Sequence, residues 1–365
     1  PVADGNFDVS VPANSEKDVK LPLPKLTKEA GVEYYLQVYA SLRKEQPILP
    51  VGFEVAKEEF AFAGNNYFAA KESIGENLQV KKDDNKITVT SGDISYEFAL
   101  KDRWKGLASF KNQNSILDQL PVPNFWRGPT DNDFGANEQS TLGIWRSASH
   151  NLSYQYNGVK EANGTVAVSY ICKLNGIKAE VALTYTVNKN GSLTIDYHFT
   201  ADGETPEPMR IGMLLTLPKQ LNHFTYYGRG PWENYIDRNK STLIGIYQST
   251  VEEEAFPYIR PQETGNKTDV RWLTLTDDNG KGIRIEGAQP LSVSATNYRP
   301  EDLDPGLTKK QQHHSDLLPR KEVVLNVDLL QRGVAGLNSW GAKPLDQYRI
   351  LGKDYRYSYT ISVID

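Results

Sequence analysis

Cysteine is nearly absent. Cys172 is the only one in 365 residues, so no intrachain disulfide can form and stability has to come from buried surface. No stretch approaches the roughly 20 consecutive apolar residues that span a bilayer. Lys and Arg (41) nearly balance Asp and Glu (46), leaving a net charge of −5 spread along the whole length. With no basic run and no basic excess, the chain fits neither nucleic acid nor a membrane surface. There is no Gly-x-Ser-x-Gly elbow, no Walker-type loop and no His pair at zinc spacing, which excludes the commonest serine-hydrolase, nucleotide and zinc signatures. A leader pattern is also missing; Pro1-Val2-Ala3-Asp4-Gly5 reads as the interior of a longer chain.

Period-2 alternation is abundant. Ile177, Ala179, Val181, Leu183, Tyr185 and Val187 mark one strand face, and Leu193, Ile195, Tyr197 and Phe199 the next, with Asn190-Gly191 as the turn signal between them. The same pattern runs through Val323 to Leu329 and Tyr355 to Val363, and Asp278-Asn279-Gly280 separates two further strand-like runs. Helical periodicity is confined to a short piece within Asn137 to Ser149, carrying Leu142 and Trp145. The fold class is therefore all-β. Residues 1–62 predict four or five strands, among them Glu33 to Leu42 and Phe53 to Phe62. Residues 63–77 lose the alternation and collect Gly, Asn and Ala, as a linker does. From 78 to 365 strands continue without a comparable break, which suits one large sandwich.

Four loops concentrate aromatic, charged and turn residues: 123–133 (PNFWRGPTDND), 226–238 (YYGRGPWENYIDR), 257–266 (PYIRPQETGN) and 333–341 (GVAGLNSWG). One reading makes them a sugar site, with carboxylates and amides for hydroxyls and aromatic faces for C–H-rich sugar faces. The other has Arg127, Arg229, Arg238, Asp131, Asp133 and Glu233 as buried ion pairs that hold long loops on a sandwich. Asp131-Asn132-Asp133 followed by Gly135 faintly resembles a calcium loop but lacks the terminal bidentate Glu. His313-His314 reads as structural, Glu252-Glu253-Glu254 as solvated surface, and His223 with Glu233 is the one acid–base pair the sequence offers for an epimerase.

These loops resemble the last domain of glycoside hydrolase family 2 β-galactosidases. The segment 124–133 is similar to that family's small-chain signature; 227–235, 261–266, His314, 336–340 and the Tyr-rich closing strand follow in the family order. The resemblance covers about 78–365, and residues 1–62 look like the tail of the preceding immunoglobulin-like domain. It implies a partial immunoglobulin-like sandwich followed by a large antiparallel supersandwich similar in fold to galactose mutarotase. It also implies a retaining mechanism acting on β-galactosides. Both catalytic glutamates and the magnesium ligands belong to a (β/α)₈ barrel outside this chain, so the chain alone is expected to be inactive and to hold no cofactor. One residue carries over: Trp340 matches the tryptophan lent to the active site, where it stacks on the non-galactose sugar. The implied partners are the remaining domains of the parent enzyme, the galactoside and, in a dimer or tetramer, further copies. A free carbohydrate-binding module and an aldose epimerase are the competing readings. Nothing in the residues selects cytoplasm over periplasm.

Overall fold

The computed structural model describes residues 2–63, 67–68, 74–75, 77–112, 117–338 and 340–365. Strands β1 (Tyr35–Ser41) and β2 (Glu54–Ala61) form an antiparallel hairpin. Strands β3 (Gln79–Lys82), β4 (Lys86–Ser91), β5 (Ile94–Ala99) and β6 (Leu107–Lys111) follow as a four-stranded antiparallel meander. The remaining strands are β7 (Gln119–Asn124), β8 (Leu152–Ala162), β9 (Thr165–Leu174), β10 (Ala179–Val187), β11 (Leu193–Ala201) and β12 (Arg210–Pro218). After them come β13 (His223–Gly230), β14 (Leu243–Thr250), β15 (Lys267–Thr276), β16 (Gly282–Thr296), β17 (Glu322–Gln331) and β18 (Asp354–Ile364). These twelve make one antiparallel sheet.

That sheet branches at its longest strand. The first half of β16, from Gly282 to Gly287, pairs with β18, whereas Ser292 to Thr296 pair with β17. Gly287 and Pro290 lie between the halves, and Pro290 has no N–H to give to either ladder. The branch then continues through β12 to β7. Alternation explains the core: Val181, Leu183, Tyr185 and Val187 of β10 are all buried. The meander closes over this face, Phe98 lying 6.0 Å from Tyr185 between ring centres, while the Tyr96 hydroxyl donates to the Gly191 carbonyl at 2.7 Å. The Asn190-Gly191 turn joins β10 to β11, with Val187 opposite Leu193.

The hairpin lies along the edge strand β14. Gln37 Nε2 donates to the Ile244 carbonyl at 2.9 Å, and the Ile244 N–H donates to Glu59 Oε2 at 2.8 Å, so side chains of the hairpin satisfy the edge at that residue. Arg271 holds Glu33 through two hydrogen bonds of 2.8 and 2.9 Å, and Tyr227 donates to the same carboxylate at 2.9 Å.

One expectation changes. Residues 1–62 contain two strands rather than four or five: no regular strand occurs before Tyr35 among the described residues. Phe7, Val9 and Val11 alternate as a strand would, yet all three are exposed and no neighbouring strand takes their amides. Alternation states which face is apolar but supplies no partner, and an unpaired strand is not stable alone. Most of the 63–77 segment falls outside the described residues.

Candidate functional site

The site is built on a buried layer of charge beneath the loops. Arg127, Arg210 and Arg332 are fully buried. Arg127 Nη2 donates to both oxygens of Asp133 at 2.9 and 3.0 Å and to the Gly333 carbonyl at 3.1 Å. Its Nη1 donates to Gln331 Oε1 at 3.0 Å and to the Arg332 carbonyl. Arg332 in turn grips Glu138 through both terminal nitrogens, at 2.7 and 2.5 Å, and lies 3.3 Å from Glu207. Arg210 donates to Glu263 at 3.0 Å and faces Asp328 at 3.4 Å. Neither Asp328 oxygen accepts a hydrogen bond among the described residues. Burial therefore pushes its carboxyl up to about 7, only partly offset by Arg210.

The local sequence explains this placement. Thr130 caps the short helix α1 (Asp131–Gly135): its hydroxyl accepts from the Asp133 N–H, while Asp133 accepts from the Thr130 N–H at 2.8 Å. That box aims Asp133 inward at Arg127. A second short helix, α2 (Glu138–Thr141), brings Glu138 to Arg332, and the turn after it buries Trp145 against Phe125 and Phe199.

On this layer sits the loop carrying Trp340. Asp237 accepts from the N–H groups of Val334 and Ala335 at 3.2 and 2.8 Å, and Asn132 donates to the Val334 carbonyl at 3.0 Å. The Trp340 N–H donates to Asn338 Oδ1 at 2.8 Å. Gly341 has φ of +89°, and a Cβ there would lie 2.5 Å from the Gly135 carbonyl oxygen, so the loop touches α1 where only glycine fits. Trp340 itself is 92% exposed. Its backbone is fixed and its indole is open to solvent. At the start of the loop, where Val334 and Ala335 form one wall, a cleft of about 220 Å³ is also lined by Asp131, Asn132, Tyr235, Arg238, Tyr258 and Gln262. Three of the four loops singled out in the sequence thus meet the fourth.

Most of their charges are already paired. Glu233 accepts from Arg238 at 2.5 Å, from Tyr258 and from the Gly265 N–H. Arg229 pairs with Asp269 at 2.6 Å, and Asp131 with Arg260 and Lys309 at 3.1 and 2.6 Å. Pairing accounts for Asp131 and Asp133, so the calcium-loop likeness has no free carboxylates behind it, but the expected burial holds for Arg127–Asp133 and not for Asp131 or Arg238, which are exposed. No group of three or more His, Cys, Asp or Glu side chains among the described residues could hold a metal ion.

Two further expectations are corrected. His223 does not meet Glu233. They lie at and beyond opposite ends of β13, which spans roughly 23 Å from His223 to Gly230 at about 3.3 Å per residue, and His223 pairs with Asp278 at 2.7 Å. Glu254 is not solvated surface: it is buried in an ion pair with Lys267, because the chain turns inward after β14. His313-His314 are not on a strand. His314 opens a 3₁₀ turn, and the His313 ring lies 3.2 Å from the Ile259 carbonyl, a structural role.

Sequence reasoning missed Glu138, Glu207, Arg210, Asp328 and Arg332. Strands β12 and β17 are buried on both faces through most of their length. Alternation then cannot tell an inward polar residue from a solvated one. The available signal was a charge inside an otherwise apolar run, Asp328 between Val327 and Leu329.

Residues 90–361 match the family described as the β-galactosidase small chain, and residues 1–63 match domain 4 of β-galactosidase. The chain belongs to the β-galactosidase small-chain family. It is 31% identical over 358 residues to a β-galactosidase of Priestia megaterium, covering 97% of this chain and 34% of that protein. With a β-galactosidase of Halalkalibacterium halodurans the identity is 30% over 346 residues, covering 91% and 33%. The small-chain protein described here therefore spans about a third of the length of these curated relatives. Among solved structures, a putative aldose 1-epimerase from Escherichia coli K12 aligns with a TM-score of 0.38 and 11% identity, over 79% of this chain and 99% of its own. A likeness that loose assigns no activity.

Proposed function

We propose that the chain is the non-catalytic C-terminal portion of a retaining, family 2 β-galactosidase acting on terminal β-galactosides. In this reading residues 1–62 belong to an immunoglobulin-like domain, 63–77 are a linker, and 78–365 are the supersandwich domain. The observation that carries the proposal is Trp340, an exposed indole on a loop whose backbone is pinned from below by Asp237, Asn132 and Gly135. An indole held open on a fixed backbone suits the C–H face of a sugar, and costs little ordering entropy when the sugar arrives. Trp232, Ile259 and Leu337, on the loops that meet there, are also exposed. Such apolar exposure suits docking against the remaining two thirds of the enzyme, where the catalytic glutamates and a magnesium ion are expected to reside.

The paired state of the loop carboxylates supports inactivity of the chain alone, since a glycosidase needs two free carboxyl groups about 5–9.5 Å apart across the sugar. Purified chain should therefore leave a chromogenic β-galactoside intact; turnover that copurifies with the chain through rigorous removal of host enzyme would falsify this. In the full enzyme, Trp340→Ala should raise KM for lactose about 2- to 12-fold, from the roughly 0.5–1.5 kcal/mol an aromatic contact contributes. Galactosyl-enzyme formation from a small aryl galactoside should change less. Unaltered lactose kinetics would remove Trp340 from the site.

A further inference from the structure

A second cleft, of about 230 Å³, lies away from the Trp340 loop, between β7, β12 and the segment that follows β16. Its walls include the apolar side chains of Val122, Leu214 and Pro300 and the polar groups of Ser149, His150 and Glu301. The walls are braced from behind. Asp304, almost fully buried, accepts from Trp126 Nε1 at 2.8 Å and from Arg146 Nε at 2.6 Å, and the Arg146 guanidinium stacks on the Trp126 ring at 4.8 Å. On the other side Asp302 accepts from the Arg299 N–H at 2.8 Å and takes both hydrogen bonds of Arg320, fixing the short helix α3 (Pro300–Leu303) that presents Glu301. His150 Nε2 and Glu301 Oε1 are 2.7 Å apart at the mouth, both accessible to solvent.

Every charge on these walls has a counter-charge: Arg146 with Asp304, Arg299 with Glu322 at 2.7 Å, and His150 with Glu301. An anion finds no unspent cation there, and a cation finds no unspent carboxylate. A neutral ligand with both hydroxyls and C–H surface matches the lining. Pockets for drug-sized ligands run about 300–1,000 Å³, so this smaller one fits a single small ring rather than a disaccharide. We propose that the cleft is a monosaccharide site, distinct from the Trp340 loop, in which Glu301 and His150 hydrogen-bond sugar hydroxyls over the apolar floor of Val122 and Leu214. This site does not depend on the role proposed for Trp340.

The test is titration of the 365-residue chain with D-galactose and with D-glucose, followed by calorimetry and by saturation-transfer NMR. A neutral ligand of about a dozen heavy atoms at drug-like efficiency gives a Kd on the order of 1 mM. Saturable binding of either sugar is expected, weakened at least 5-fold in Glu301→Gln and in His150→Ala and unchanged in His223→Ala, whose exposed pair with Asp278 is no part of the cleft. Both cleft variants alter exposed side chains, and unchanged circular dichroism and melting temperature would establish that they fold. No saturable binding of either sugar up to about 100 mM, a hundredfold above that Kd, would overturn the proposal. So would binding that survives both cleft variants. Binding lost in Trp340→Ala but intact in the cleft variants would overturn it too, while favouring the Trp340 reading.

Discussion

Replacing Arg127 with Met tests whether the buried charge layer sets the geometry of the loops. Arg127 is completely buried and makes five hydrogen bonds, two to Asp133, one to Gln331 and two to the carbonyls of Arg332 and Gly333. Methionine fills much of the volume but donates nothing. Asp133 keeps Arg332, at 3.7 Å, as its only counter-charge, and the carbonyls that begin the Trp340 loop lose their donor. Breaking one side of a buried pair costs about 3–5 kcal/mol. Unfolding entropy near 2.1 cal/mol/K per residue, taken over residues 78–365, gives about 0.6 kcal/mol/K, so a loss of about 4 kcal/mol lowers Tm by roughly 7 °C. Differential scanning calorimetry at pH 7 measures it directly. The deficit should shrink toward acid, because an unpaired buried carboxylate takes up a proton and stops costing desolvation energy. Arg127→Lys should recover only part, since an ammonium cannot reproduce the planar fork. A melting temperature within 2 °C of the parent for Arg127→Met would refute the reasoning.

Glu33→Gln should loosen the hairpin, because Arg271 loses the charge of its bidentate partner; at about 3 kcal/mol, amide exchange in β1 and β2 should rise while β9 to β11 stay protected. Asp328 has a folded carboxyl raised to about 7, against 3.8 for an unperturbed aspartate, so between about pH 4 and 7 the unfolded chain has released a proton that the folded chain keeps. This group's contribution to stability therefore falls as pH rises through that window, and Asp328→Asn should remove that downward component from the pH–stability profile. An unaltered slope in chemical denaturation would count against it. Arg238→Met, which breaks a half-exposed pair with Glu233, should cost less than about 1 kcal/mol, and a melting shift as large as that of Arg127→Met would show that burial is not what distinguishes them.

The strands were legible because most of them bury one face. Strands β9, β10 and β11 alternate buried with half-buried or exposed residues almost without interruption, so their pattern states both their existence and their inward face. The hairpin turns at Asn190-Gly191 and around Asn279-Gly280 were legible from backbone preference alone. The helices α1 and α3 were not, since four or five residues carry no period, and only Thr130 with Asp133 offered a capping signature. The gathering of the loops was partly legible: unusual composition marked all four, but which arginine meets which acid depends on contacts across about 200 residues of sequence, such as Arg332 to Glu138. Residues 2–33 misled because apolar alternation specifies a face, whereas a strand also needs a neighbour for its amides.

The charges on the loops also separate support from chemistry. A general acid or base has to keep a proton or a lone pair free for substrate. Asp133, Glu138 and Glu263 spend theirs on arginines out of reach of solvent, and Glu233 spends its own on Arg238, Tyr258 and a backbone N–H. Swapping such a layer for apolar residues often costs nothing in stability, so stability alone does not explain it. What apolar contacts could not supply is direction: the fork of Arg127 meets Asp133 on one side and two consecutive carbonyls on the other, which fixes where the chain leaves β17. From that point Val334 and Ala335 are held by Asp237 and Asn132, Gly341 abuts Gly135 of α1, and Trp340 immediately precedes Gly341. The charged layer thus supports the loop that carries Trp340, the arrangement that the function proposed above requires.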